Sequence, residues 1–324
     1  MLEKYTYDGS KKLDLKNVST KIKKSKLDKA SIQEKTRANQ IEIQALQDRL
    51  YADSREALIL EIQARDAAGK DGTIKHVMSG VNPQGVDVYS FKSPTHEELA
   101  HDFLWRFNRA LPMRGKIAIF NRSYYEDVLI VKVRSLWKNY QVPERMLKGD
   151  LIEKRYKQIR GYEDYLYENG YRIIKIFLNV SAEKQKERFL ERIDEEEKNW
   201  KFSEADLAER ALWPDYTKAY EDAINATATK DNPWYVIPAD QKWMARYLVS
   251  EIILKVLKSI NPQYPVLSPD KKAKLAATAK LCFRKEQSLM TLAFLPPQQR
   301  STRQMNRSKR NEQISQRSPA RNEN

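Results

Sequence analysis

Ala57-Leu58-Ile59-Leu60-Glu61-Ile62-Gln63-Ala64-Arg65-Asp66-Ala67-Ala68-Gly69-Lys70-Asp71-Gly72-Thr73 carries the reading of this chain. An apolar strand, Ala57 to Ile62, runs into a turn of small residues, then Gly-Lys, then a helical pattern from Gly72 to about Met78. That is the layout of a phosphate-cradling loop, with backbone N–H groups and a helix N-terminus facing an anion and Lys70 adding a point charge. The strict pattern Gly-x4-Gly-Lys-Ser/Thr fails twice, because Ala64 stands at the first Gly and Asp71 at the Ser/Thr. Asp71 is the more telling change, since a carboxylate is a stronger ligand than a hydroxyl for a hard cation. Asp66 places a second acid in the loop. Two acids around a phosphate site make sense when a divalent metal neutralises them.

Working outward, strand signals alternate with helix signals. Further strands are expected at Val86–Phe91, Lys116–Asn121, Arg172–Val180 and Trp234–Ile237. Helices are expected at Ser31–Tyr51 with a Ser31/Glu34 capping box, at His96–Leu111, and at Arg145–Asn169 stopped by Gly170. Two more follow at Ala182–Ile193, opened by Ser181, and at Lys242–Ile260. The continuous apolar run Ile117-Ala118-Ile119-Phe120 is what a strand covered on both faces shows. The pattern predicts an α/β fold, a P-loop kinase-like parallel five-stranded sheet with helices on both faces and a helical lid. The expected layout is an N-terminal arm (1–30), the main domain (31–265) with a lid around 182–215, a helical extension (266–295), and a basic disordered tail (296–324).

A second constellation follows the strand at 116–120: Asn121-Arg122-Ser123-Tyr124-Tyr125-Glu126-Asp127. In open α/β sheets ligands sit beyond the carboxyl ends of the strands, so this turn should face the crevice that Lys70 faces. Arg122 is a candidate bidentate clamp on phosphate. Glu126 and Asp127 are candidate metal or nucleotide contacts. A third, looser set is basic: Lys75, Lys92, Arg106 and Arg109 on elements flanking the crevice, and Arg188 and Arg192 on one helical face where small-molecule kinases carry a lid. Lys201 and Arg210 lie among Trp200, Phe202, Trp213 and Tyr216, a mixture suited to a nucleobase and its phosphates or to a solvated charged surface beside a core patch.

Bulk properties narrow the function classes. The chain of 324 residues has a formal net charge of +15, which calls for an anionic partner. Seven basic and two acidic residues between 296 and 324 account for +5 of it, leaving +10 on the rest. A single cysteine, Cys282, excludes an internal disulfide, and three histidines leave little room for a zinc site. There is no apolar run of membrane-span length and no signal-like start, so a cytoplasmic protein with no membrane partner is expected.

The strings Asp66-Ala67-Ala68-Gly69-Lys70-Asp71-Gly72-Thr73-Ile74-Lys75-His76-Val77, Ser79-Gly80-Val81-Asn82-Pro83-Gln84-Gly85, His101-Asp102-Phe103-Leu104-Trp105-Arg106, Phe120-Asn121-Arg122-Ser123-Tyr124-Tyr125-Glu126 and Asn199-Trp200-Lys201-Phe202 together resemble the polyphosphate kinase 2 family over about residues 30–265. The resemblance implies phosphoryl transfer between inorganic polyphosphate and nucleoside mono- or diphosphates with Mg²⁺, Mn²⁺ being an alternative. It implies catalytic roles for Asp66, Lys70 and Arg122, and metal roles for Asp66, Asp71 and Glu126. Phosphate or polyphosphate contacts fall to Gly69, Lys70, Lys75, Lys92, Arg106, Arg122, Arg188 and Arg192. Nucleotide contacts fall to Glu126, Trp200, Lys201 and Arg210. Glu126 resembles the subgroup that accepts both AMP and ADP, and a homo-oligomer, dimer or tetramer, is implied. Rival readings are an ATP-dependent small-molecule or nucleotide kinase on the same fold, and a non-catalytic basic binder of polyanions. Nucleic acid enters only through the C-terminal tail, since no nucleic-acid module is recognisable.

Overall fold

The computed structural model describes residues 2–22, 28–140 and 142–293. All five expected strands form. They are β2 (Ala57–Ala64), β3 (Val86–Ser90), β4 (Ile117–Asn121), β5 (Tyr171–Asn179) and β6 (Trp234–Pro238). The sheet has six strands, however, in the order β1-β6-β5-β2-β4-β3. The extra one, β1 (Thr6–Tyr7), comes from the N-terminal arm and pairs antiparallel with β6. Two residues are too short to leave a periodic signal, and it is the free edge of β6 that recruits them. The other four pairings are parallel.

Alternation along the central strands divides the core between the two faces. Leu58, Leu60 and Ile62 join Ile117, Ile119, Ile174 and Ile176 on one face, beneath the helix Lys242–Ile260. Ile59, Ala118, Phe120 and Phe177 lie on the other, packed with Tyr156 and Ile159 of the helix Leu151–Glu168 and with Tyr220 and Ile224 of the helix Trp213–Thr227. Glu61 and Gln63 interrupt the apolar sequence of β2 on this second face, and both are fully buried.

Several helix boundaries differ from expectation, each for a local reason. The first helix spans Lys29–Asp53, and Asp28, not Ser31, is its N-cap: the Asp28 carboxylate accepts from the Ser31 N–H. The segment expected as one helix over 96–111 is two single turns, His96–Leu99 and Trp105–Asn108. Thr95 caps the first in a capping box with Glu98, and the Asp102 carboxylate takes the Leu104 N–H, which turns the chain between them. The helix expected over 145–169 is a turn at Glu144–Leu147 and then Leu151–Glu168. Gly149 at φ +74 breaks it and Asp150 recaps it by accepting from the N–H groups of Ile152 and Glu153. Gly170 ends it at φ +85, as its position indicates.

Residues 1–264 form one compact unit and residues from 265 onward a second. The second contains the helix Pro269–Ala293. The expected disordered tail, 296–324, lies outside the described residues. Among those described, no helix is long and apolar enough to cross a membrane.

Candidate active site

The phosphate loop leaves the C-terminal end of β2, at the centre of the sheet. Ala67 at φ +57 and Gly69 at φ +102 take the left-handed conformation, curling the chain so that the helix Lys70–Val77 starts at once. No described side chain caps this helix, which leaves its first amides open toward an anion. Lys70 folds back and donates to the Ala64 carbonyl at 3.1 Å. Burial lowers its pKa, as does Arg122, while Asp66, Glu126 and Asp71 oppose the shift.

The turn after β4 faces this loop. Arg122, at φ +67, donates Nη2–H to Asp66 Oδ1 at 2.9 Å. Glu126 raises the pKa of Arg122, followed by Asp66, against the effect of burial. Burial holds the Glu126 carboxyl above the usual carboxylate range, with Arg122 and Lys70 pulling it back. Asn121 donates its side-chain amide to Asp71 Oδ1 at 2.8 Å, and its own side-chain oxygen, Oδ1, is buried with no partner among the described residues. Asp66, Lys70, Asp71, Arg122 and Glu126 are therefore brought together. Among the described residues no group of three or more His, Cys, Asp or Glu is arranged to hold a metal ion. Asp66, Asp71 and Glu126 thus form no closed cage. The available donors, separate carboxylates and the orphaned Asn121 oxygen, fit a hard ion that draws its remaining ligands from substrate phosphates and water.

The basic flank is placed differently. Arg188 is buried, 4% exposed, and donates to the carbonyls of Ala67, Ala68, Ala239 and Asp240 at 2.7–3.2 Å. It braces the back of the loop in this conformation, at a position expected to supply a lid cation for phosphate. Arg192 donates to the Lys201 carbonyl and to Asp206, at 3.2 and 3.1 Å. Arg210 donates to the Ala182 carbonyl and to Gln185, both at 2.8 Å. Lys75 and Lys92 are exposed. Trp200 is 78% exposed, and Lys201 lies 4.9 Å over its ring.

Two cavities adjoin the site. One of about 200 Å³ lies between the loop and the helix Glu204–Ala211, lined by Asp66, Arg122, Glu126, Arg210 and Trp213 among others. Arg65, which sequence reasoning passed over although it stands inside the loop, also lines it, stacked 4.2 Å from Trp213. The other, about 780 Å³, is walled by Leu99, Phe103, Met146 and Leu147 and reaches Arg106 and Asp127. Burial raises Asp127 to about 6 against the pull of Arg155 and Arg106. Trp200 and Lys201 line neither cavity. The larger cavity was illegible in sequence because its walls come from two segments well separated in the chain, residues 94–106 and 140–158, which were expected to contribute unbroken helices.

The family model for polyphosphate kinase 2 matches residues 26–265. This chain belongs to the polyphosphate kinase 2 family. Among its relatives is the ADP-polyphosphate phosphotransferase of Rhodopseudomonas palustris, 52% identical over 228 residues, which are 70% of this chain and 79% of that protein. The AMP/ADP-polyphosphate phosphotransferase of Meiothermus ruber is 47% identical over 216 residues, 67% of this chain and 77% of its own. The crystal structure of polyphosphate kinase 2 from Arthrobacter aurescens TC1 superposes with a TM-score of 0.78 at 36% identity, covering 86% of this chain and 96% of that one. The polyphosphate kinase 2 chain described here therefore shares its architecture, not merely its loop, with a solved member.

Proposed function

We propose that this chain transfers phosphoryl groups between inorganic polyphosphate and nucleotides, with AMP and ADP as acceptors and Mg²⁺ or Mn²⁺ as the cofactor. One observation carries the reading: Asp66, Lys70, Arg122 and Glu126 converge beyond the C-terminal ends of the adjacent parallel strands β2 and β4. Phosphoryl transfer needs positioning and charge neutralisation more than covalent chemistry by the protein. Lys70 and the open amides of its helix hold the phosphates around the transferred group. Arg122, oriented by Asp66, spans the equatorial oxygens. The acceptor is an already ionised phosphate, so no strong general base is required.

Asp66, Asp71 and Glu126 would hold the metal, one or two at a time. When bound, the metal would offset negative charge on the substrate phosphates. The acceptor nucleoside fits the larger cavity better than the Trp200 segment, because apolar walls lie there beside Arg106 and the step from Asp127 to Glu126 leads into the loop. Polyphosphate then approaches from the lid side, where Arg192 and Arg210 exchange lid partners for phosphate. A homo-oligomer, dimer or tetramer, and a separate polyanion-binding role for the tail 296–324 belong to the same reading. So does a main domain ending near residue 265.

The deciding assay incubates the purified protein with polyphosphate and AMP or ADP, with no ATP, and follows ATP by luminescence. ATP formation from both is expected. Formation from ADP alone narrows the acceptor claim. No product, with activity restored by ATP as donor, favours the ATP-dependent kinase.

A further inference from the structure

Two tyrosines stand between Arg122 and Glu126, and the mechanism above uses neither. Both are buried, at 1% and 0% exposure, and both hydroxyls go to a single carboxylate. Tyr124 Oη donates to Glu163 Oε1 at 3.0 Å and Tyr125 Oη donates to the same oxygen at 2.7 Å. The other Glu163 oxygen accepts from Lys175 Nζ at 2.6 Å. Lys175 also donates to the Thr227 carbonyl and to Tyr125 Oη, at 2.9 and 3.3 Å. Glu163 and Lys175 are both fully buried. Ser123 fastens the same turn to β2, its hydroxyl donating to Glu61 Oε2 at 3.1 Å. Burial, reinforced by Glu163, pushes the Glu61 carboxyl up to about 8.

This arrangement meets a need of the turn. Arg122 sits at φ +67, a conformation that a non-glycine residue keeps only when its surroundings over-determine it. The three residues that follow it, Ser123, Tyr124 and Tyr125, are each tied from below, and Glu126 comes next. We propose that Glu163, held by Lys175, is a positioning residue of the phosphoryl-transfer site: it fixes Tyr124 and Tyr125, and through them sets the backbone from which Arg122 and Glu126 project. The proposal rests on assigning Arg122 and Glu126 to the reacting phosphates. A misplacement of the clamp by a fraction of a bond length lowers turnover without abolishing substrate binding.

The test measures kcat, KM for polyphosphate and melting temperature for Glu163→Gln, for the double variant Tyr124→Phe/Tyr125→Phe, and for Leu166→Ala. Leu166, buried on the Glu163 helix, makes none of these contacts and controls for stability alone. The double variant keeps its ring packing and is expected to lose about thirtyfold in kcat, with KM within about twofold. Leu166→Ala is expected to lower the melting temperature as much or more while kcat stays within about twofold. Unchanged kcat in the tyrosine variant, or a loss no larger than that of Leu166→Ala, overturns the proposal. If Glu163→Gln does not fold, the tyrosine variant decides alone. Arg122→Lys in the same assay separates the two ideas: full turnover there removes Arg122 from the chemistry and leaves the positioning to be judged through Glu126.

Discussion

The two halves of the active site hold their charges in opposite ways. The lower half, the loop and the turn after β4, is built on the sheet. Its working side chains, Lys70, Arg122 and Glu126, lean on one another, and the residues beneath them are tied into the buried layer of Glu61, Glu163 and Lys175. The upper half, from Arg192 to Trp213, is built from helices laid over the loop. Its cations are taken up by protein groups: Arg192 by Asp206, and Arg210 by Gln185 and the Ala182 carbonyl at the start of the helix Ala182–Asp194. The Arg192–Asp206 pair keeps some solvent contact, its side chains 21% and 18% exposed against 0% and 1% for Lys175 and Glu163, so a phosphate can displace its partner at lower cost. Breaking a buried, hydrogen-bonded pair by removing one member costs about 3–5 kcal/mol. The sheet side can therefore serve as fixed template for the reacting group, and the lid side as an exchangeable lining for a polymer.

The contrast can be broken by substitution. Lys70→Ala should lower kcat by at least ~100-fold with the melting temperature near wild type, since an electrostatic contact made in the transition state is lost. A near-wild-type rate would remove the loop from the mechanism. Leu99→Asp, which puts a charge on the rim of the larger cavity, should raise KM for ADP about tenfold and leave KM for polyphosphate unchanged. The reverse split would assign that cavity to the polymer. Arg192→Ala should raise KM for polyphosphate about threefold with kcat nearly constant, as suits an exchangeable cation. A large loss of kcat would move the lid into the template. Trp200→Ala should change KM for either substrate by less than about twofold, because its ring stands in solvent. A tenfold rise for ADP would return the nucleobase to that segment.

A further effect is expected on the pH dependence of stability. Glu61 has a folded pKa of about 8 against an ordinary 4.5. A raised carboxyl pKa means that the folded state holds its proton more tightly, so this contribution is complete below about pH 4.5 and is lost as pH rises through 8. Thermal melts between pH 5 and pH 9 should therefore fall less steeply for Glu61→Gln than for the native protein. Parallel curves would show that Glu61 does not carry the dependence.

Legibility followed distance along the chain. The five parallel strands, the Ser181 and Gly170 caps and the loop were readable because periodicity, caps and turns are local. Glu126, Arg122 and Lys70 were readable together through the rule that strand ends share a crevice. The breaks at Asp102 and Gly149 were local signals overridden by the longer apolar periodicity around them. Arg188 was read as a lid cation, with Arg192 on the same helical face, from the place of their helix after β5 and from the family resemblance, yet one reaches buried carbonyls and the other Asp206. Nothing in spacing distinguishes those ends.

By itself the sequence determined a parallel α/β sheet, the strand whose C-terminal end bears the phosphate loop, and the family. Each depends on residues near one another in the chain. Tertiary structure alone decided that Glu61, Tyr124, Tyr125, Glu163 and Lys175 share one buried layer, that the arm supplies a sixth strand, and that the larger cavity opens between residues 94–106 and 140–158. The physical reason is that burial and the pairing of polar groups are properties of packed surfaces, and packing joins segments that no local pattern connects.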